Sequence, residues 1–160
     1  MEQTAFPFCQ RWRKRRDSYR PAGEPIDTSK YGVEVIKEKD AKQFVTNHHY
    51  SASYPAARFR AGLFRTTRAN IPELVGTAVF SVPMQRRVIP CYAPGTEPNN
   101  GIELGRFVLL DDVPANGESW FLSRAFKLLK QELDVRVVVA YSDPTPRTTS
   151  LGYEIKPGHV

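Results

Sequence analysis

The chain has 160 residues, 41% of them hydrophobic, and a formal net charge of +6. This suffices for one core in one domain, and no run of about 18 apolar residues offers a membrane-spanning helix. Early charges without an apolar segment argue against secretion. Cys9 and Cys91, far apart in no metal-like spacing, fit a reducing cytoplasm while leaving one disulfide open.

The charge is uneven. Residues 1–20 hold Arg11, Arg13, Lys14, Arg15, Arg16 and Arg20 against Glu2 and Asp17, so they carry +4 and the other 140 residues only +2. Trp12 and Tyr19 interleave with the arginines, a mixture suited to phosphate contacts plus stacking. The plainer alternative is a solvated basic tail. Residues 21–30 turn to Pro, Gly, Asp, Thr and Ser and read as a linker. The chain thus divides into a basic arm and linker, 1–30, and a folded domain, 31–160.

A strand is expected over 31–36, where Tyr31, Val33 and Val35 alternate with small or polar neighbours. Asp40 is expected to cap a helix running to about His49, with Ala41, Phe44, Val45 and His48 on one face. Residues 58–66 and 73–82 read as adjacent strands, and the Pro-, Gly- and Asn-rich 83–101 as a long loop. A strand over 102–110 ends at Asp111, Asp112, Val113 and Pro114. Asn116 or Ser119 can cap the next helix, whose Phe121, Leu122, Ala125, Phe126, Leu128 and Leu129 form an apolar face. Residues 135–141 read as a strand buried on both faces, closing on Tyr141, Ser142, Asp143 and Pro144. This order predicts an α/β fold, a mixed sheet with helices on both faces.

The segments HHYSASYPAARFRAGLF, LVGTAVFSVP, ELGRFVLLDDVPANGESWFLSRAFKLLK and VVVAYSDPTPRTT, in that order, resemble the Mom-type DNA modification proteins of bacteriophages. The resemblance covers residues 31–160 and implies a divergent GNAT-like acyltransferase fold. It also implies a transferase acting on double-stranded DNA, converting adenine to N6-carbamoylmethyladenine and masking sites from restriction nucleases. Two departures from GNAT enzymes stand out. Where those enzymes cradle coenzyme A with a glycine-containing loop, this chain has Leu110 to Gly117. Pro114 there removes an amide, and Asp111 and Asp112 would face a pyrophosphate, which argues against acetyl-CoA. The chain also stops at Val160 where similar proteins continue, leaving open whether part of the C-terminal fold and site lies beyond it. The group donor, small-molecule or aminoacyl-type, stays unnamed.

Transfer to an exocyclic amine needs help with its proton and a pocket for an extruded base. His48 is the first candidate, since imidazole titrates near neutrality and a helix ends beside it; the alternative is a core histidine. Tyr50 and Tyr54 offer stacking surfaces on an extruded base, or core packing. Asp143 ends a strand where carboxylates often point at ligands, or forms an Asp-Pro turn. Arg106 is a charge in an apolar strand, suited to a phosphate or carboxylate, or to an ion pair with Asp143 or Asp111. Glu103 is close in sequence, but strict alternation would put it on the other face from Arg106. Ser119 and Ser123 fall one helical turn apart. By the resemblance, His48, Arg106, Ser123 and Asp143 match polar positions with catalytic or donor-binding roles; by their charge pattern Arg11, Arg13, Lys14, Arg15 and Arg16 would meet DNA, and Tyr50 would stack on it. His48, His49 and Asp143 would supply two imidazoles and a carboxylate for Fe2+, if the helix unwinds between the histidines. Two other functions stay open: an acyl-CoA-dependent N-acyltransferase acting on a small amine or protein, and a nucleic-acid-binding module without activity.

Overall fold

A computed structural model describes residues 25–49 and 53–141 in full, and residues 8–13 and 16–21 as backbone. Near the N-terminus, β1 (Phe8–Arg13) and β2 (Arg16–Pro21) pair as an antiparallel ribbon, in register from Phe8 opposite Pro21 to Arg13 opposite Arg16. The basic arm is therefore paired strand over these residues. Its side chains lie outside what is described, as do Lys14, Arg15, Tyr50 and everything after Tyr141, including Asp143.

The body is one five-stranded sheet, ordered β3 (Tyr31–Val35), β4 (Ala57–Thr66), β5 (Pro72–Ser81), β6 (Gly101–Leu109) and β7 (Val137–Val139). The first four are antiparallel and β7 runs parallel to β6. Between β4 and β5 the turn closes through Thr67, whose amide donates to Ile71 O at 3.1 Å and whose hydroxyl accepts from Ile71 N at 3.2 Å. Asn70 takes the left-handed conformation there (φ 55°), which short polar side chains tolerate.

Helices cover both faces, as the sequence pattern predicts. The long helix α3 (Gly117–Glu132) buries Phe121, Ala125 and Leu129, spaced by four, against Phe59, Leu63, Phe80 and Ile102. Phe107 of β6 stacks on Phe121 with ring centres 5.6 Å apart. On the other face α1 (Glu38–His48) buries Ala41 and Val45 against Ile36 and Val79. The neighbours Val79 and Phe80 thus serve opposite layers, as strand alternation requires.

Several boundaries differ from expectation. Asp40 lies within the first turn of α1, where with Glu38 it opposes the positive end of the helix dipole; Lys37 occupies the cap. The 83–101 segment contains a short helix, α2 (Val88–Tyr92), and a single tighter turn at Pro98–Asn100. Pro90 is tolerated because it sits in the first turn, where amides have no intrahelical acceptor. Asn116 caps α3 in a left-handed conformation (φ 64°) without a side-chain bond, while Ser119 Oγ donates back to its carbonyl at 3.3 Å. β7 is shorter than the expected strand and only Val139 within it is fully buried, because it flanks β6 alone at the end of the described sheet.

Candidate functional site

The candidate site begins with an irregularity in β6. Val79 pairs with Arg106 and Phe80 with Leu104, so Gly105 is an extra residue against an otherwise regular neighbour, a β-bulge. The bulge reverses the alternation beyond it. Leu104 and Phe107 both face the α3 core, while Glu103 and Arg106, three residues apart, both face the α1 side opposite Ser81 and Val79. Strict alternation put these two charges on opposite faces; the bulge places them on one. Only glycine fits at its centre, since a Cβ on Gly105 would fall 2.3 Å from Ser81 Oγ and 3.2 Å from Ser81 Cβ.

Arg106 is anchored to the chain that follows α1. Its Nε donates to Ser53 O at 3.0 Å, an Nη donates to Ser53 Oγ at 2.6 Å, and the other Nη reaches Gly105 O. A guanidinium fork suits this multi-point hold better than an ammonium. His49 lies beside it. The α1 helix ends at His48, and His49 takes an extended conformation (φ −82°, ψ 140°), with its amide donating to Val45 O at 2.8 Å. Burial, and secondarily the Arg106 charge, lower the His49 imidazole from 6.5 to about 4, so it is neutral at physiological pH. His48 is exposed, its ring against Phe44 at a 4.6 Å centroid distance.

Glu103 is half-buried between Ser81 of β5 and Val139 of β7. Burial raises its carboxyl above the ordinary value, an effect the Arg106 charge opposes. Past Val139 the chain reaches Tyr141, whose ring meets Tyr92 of α2 edge-on, 6.1 Å apart at 72°. About half of each tyrosine is exposed, 52% for Tyr92 and 51% for Tyr141. Burial first, then the Tyr92 hydroxyl and the Glu103 charge, raise the Tyr141 phenol. Ile89 of α2 packs over Gly101, so α2 and the end of α1 attend the same face of β6.

The remaining candidates separate from this strip. Ser123 is exposed on α3, across the sheet from Arg106, and Ser119 is exposed on the same helix. The helix does stop at His48, with His49 extended, but among the described residues no three His, Cys, Asp or Glu side chains form a group that could hold a metal. Asp143, the third proposed iron ligand, and Tyr50 lie outside the described residues. Tyr54 is half-buried against the α1-side core, with its phenol raised by burial. Cys91 is an exposed free thiol.

The turn after β6 is built as a brace. Asp112 accepts from Arg65 at 2.8 Å, and Arg65 also donates to Glu73 at 2.9 Å, tying the turn to β4 and β5. Val113 is fully buried, its amide donating to Leu110 O at 3.1 Å, and the Gly117 amide donates to Pro114 O at 3.2 Å. The Val113 and Gly117 amides are thus engaged within the turn and not turned outward to a phosphate. A groove of about 460 Å³ runs on the opposite layer between β3 and α3, lined by Tyr31, Trp120, Arg124 and Lys127, with the Arg124 guanidinium 3.7 Å above the Trp120 ring.

The sequence pattern points to Arg106 but ranks His48 ahead of His49, puts Glu103 on the other face, and passes over Ser53 and Tyr92. One signal is present: a glycine inside an apolar strand, which often marks a bulge. Among curated proteins nothing matches the chain. The sequence profile of the Mom protein family matches residues 30–153, well over half of the 160, so the chain belongs to the Mom protein family, which implies a DNA-modifying enzyme.

Proposed function

We propose that this protein is a transferase that modifies the exocyclic amine of adenine in double-stranded DNA to N6-carbamoylmethyladenine, protecting phage DNA from restriction. The observation that carries this reading is the polar strip on β6, where a bulge sets Glu103 and Arg106 on one face beside a neutral His49, in a chain of the Mom family. Such a strip holds an anion-binding guanidinium, a proton-accepting carboxylate and an uncharged imidazole within one neighbourhood, which amine transfer requires.

Arg106 holds a phosphate or the donor's carbonyl, with its fork kept in place by Ser53. The neutral His49 orients substrate by hydrogen bonding, and the exposed His48 stands at the rim. Asp143 and Tyr50 complete the site in this proposal, Asp143 from just beyond β7 and Tyr50 from just beyond α1. Ser123, on the other layer, is given no chemical role. The engaged amides of Leu110, Val113 and Gly117, with Pro114 between them lacking one, favour a donor other than an acyl-CoA.

Plasmid DNA from cells producing the protein, digested to nucleosides and analysed by mass, tests this reading. An adenosine species heavier by one carbamoylmethyl group is the expected result. An unmodified adenine pool, with acyl-CoA turnover on amines, overturns it.

A further inference from the structure

The structure assigns a second binding site to the groove between β3 and α3, one that takes a free nucleoside monophosphate. Trp120, Arg124, Lys127 and Gln131 line it from α3 at spacings of four, three and four, the period that sets helix residues along one stripe. Tyr31 lines it from β3 and Thr28 from the turn before that strand. Its volume of about 460 Å³ lies within the range of about 300–1,000 Å³ usual for small-molecule sites. The groove belongs to the α3 layer, across the sheet from Arg106, so it stands apart from the proposed transfer site. A duplex bound along the α1 side of β6 would be separated from it by the sheet, which leaves a free nucleotide as the occupant.

The chemistry of the lining selects an anion. No carboxylate borders the groove, and Asp27, next to Thr28, is taken up by Ser29 and Lys30. The Arg124 guanidinium is held 3.7 Å over the Trp120 ring, yet among the described residues neither its N–H groups nor the Lys127 ammonium forms a hydrogen bond or ion pair. Two such cations one helical turn apart attract a phosphate monoester, which can bridge them. The Trp120 indole N–H is a third donor, closed off from solvent and without an acceptor among the described residues. A buried donor normally has a partner because leaving it alone is costly, and a ligand oxygen that reaches Trp120 removes that cost. Phosphate alone would leave the aromatic part of the lining unused. A planar base stacks on a tyrosine ring or on an arginine plane, and Tyr31 and the Trp120-backed Arg124 offer both. A nucleoside monophosphate carries the base and the dianion in one molecule of the right size.

The chain's tryptophans are Trp12 and Trp120, so Trp12→Phe leaves Trp120 as the sole indole emitter. The full chain with that substitution is titrated with each of the common nucleoside monophosphates, with adenosine and with inorganic phosphate. A saturable change in Trp120 emission is expected with a monophosphate, while adenosine and inorganic phosphate, each lacking half of the ligand, bind about tenfold more weakly or worse. Lys127→Ala, at an exposed position, and Arg124→Gln are each expected to weaken the monophosphate by about tenfold, as loss of a charge-assisted hydrogen bond does. Thermal melting checks that both variants fold. No saturable change with any monophosphate, equal binding of inorganic phosphate, or an unaltered affinity in a normally melting Lys127→Ala chain overturns the inference. Displacement of the bound monophosphate by duplex DNA overturns it too, since the groove would then be a DNA contact. None of these readouts depends on adenine modification, so failure here and failure of the transfer reading are told apart.

Discussion

At the scale of single residues, the two groups with the clearest consequences are Arg106 and His49. Arg106 donates to both the carbonyl and the hydroxyl of Ser53, so it needs a planar fork as much as a charge. Arg106→Lys is therefore expected to lose DNA modification nearly as completely as Arg106→Ala; near-normal nucleoside conversion by the lysine variant would mean that charge alone matters. His49 gives a pH signature. Its folded value of about 4 lies below the ordinary 6.5, so as acid is added the unfolded chain binds the proton first. Its contribution to stability is complete above about pH 6.5 and falls away as pH drops toward about 4. Glu103, raised in the folded protein, acts in the opposite direction at acid pH, so the informative quantity is a difference between variants. The melting temperature of the wild type should fall between about pH 6.5 and 4 more steeply than that of His49→Gln; parallel curves would contradict the buried neutral imidazole.

At the scale of elements, β6 carries the most information. Its Gly105 meets Ser81, and Gly105→Ala is expected to cost about 1–3 kcal/mol, as overpacking usually does. Ser81→Gly in the same chain should recover part of that loss, and denaturant melts of the two single variants and the double variant measure the coupling. The strand itself is legible in the sequence, as are the apolar face of α3, the β4–β5 pair and the mixed α/β class, because each rests on periodicity within one segment. The bulge is not, because it depends on how one residue of β6 fits one residue of β5 across the ladder. The contrast between His48 and His49 is hidden for a related reason: it turns on where α1 stops, and helix ends are weakly marked in sequence. Asp111 and Asp112 do follow the end of a strand, yet the role of Asp112 as a brace depends on Arg65, 47 positions earlier.

At the scale of the whole molecule, the sheet divides labour between its faces. The α3 layer has an aromatic centre, built on Phe59, Phe80, Phe107 and Phe121, while the α1 layer gives way along β6 to charged and polar groups. The buried hydrophobic residues among those described run from Ile36 to Val139, on both faces of the five-stranded sheet. Removing residues 1–20 takes away the basic β1–β2 ribbon, and thermal melting checks that the truncated chain still folds. The same truncation should weaken DNA binding and flatten its salt dependence by about 0.9 in slope for each phosphate that the ribbon neutralises; an unchanged slope would exclude the ribbon from DNA contact. The bulge has one more implication, for how such a chain can vary over time. A side-chain pattern with period two behaves like a reading frame, and Gly105 is a one-residue frameshift that turns the second half of β6 over. Losing one residue near it would send Arg106 toward the phenylalanine layer and Phe107 toward the α1 side, while losing two would keep both on their present sides. Change in this strand is thus filtered by the parity of its length more severely than by the identity of most of its residues.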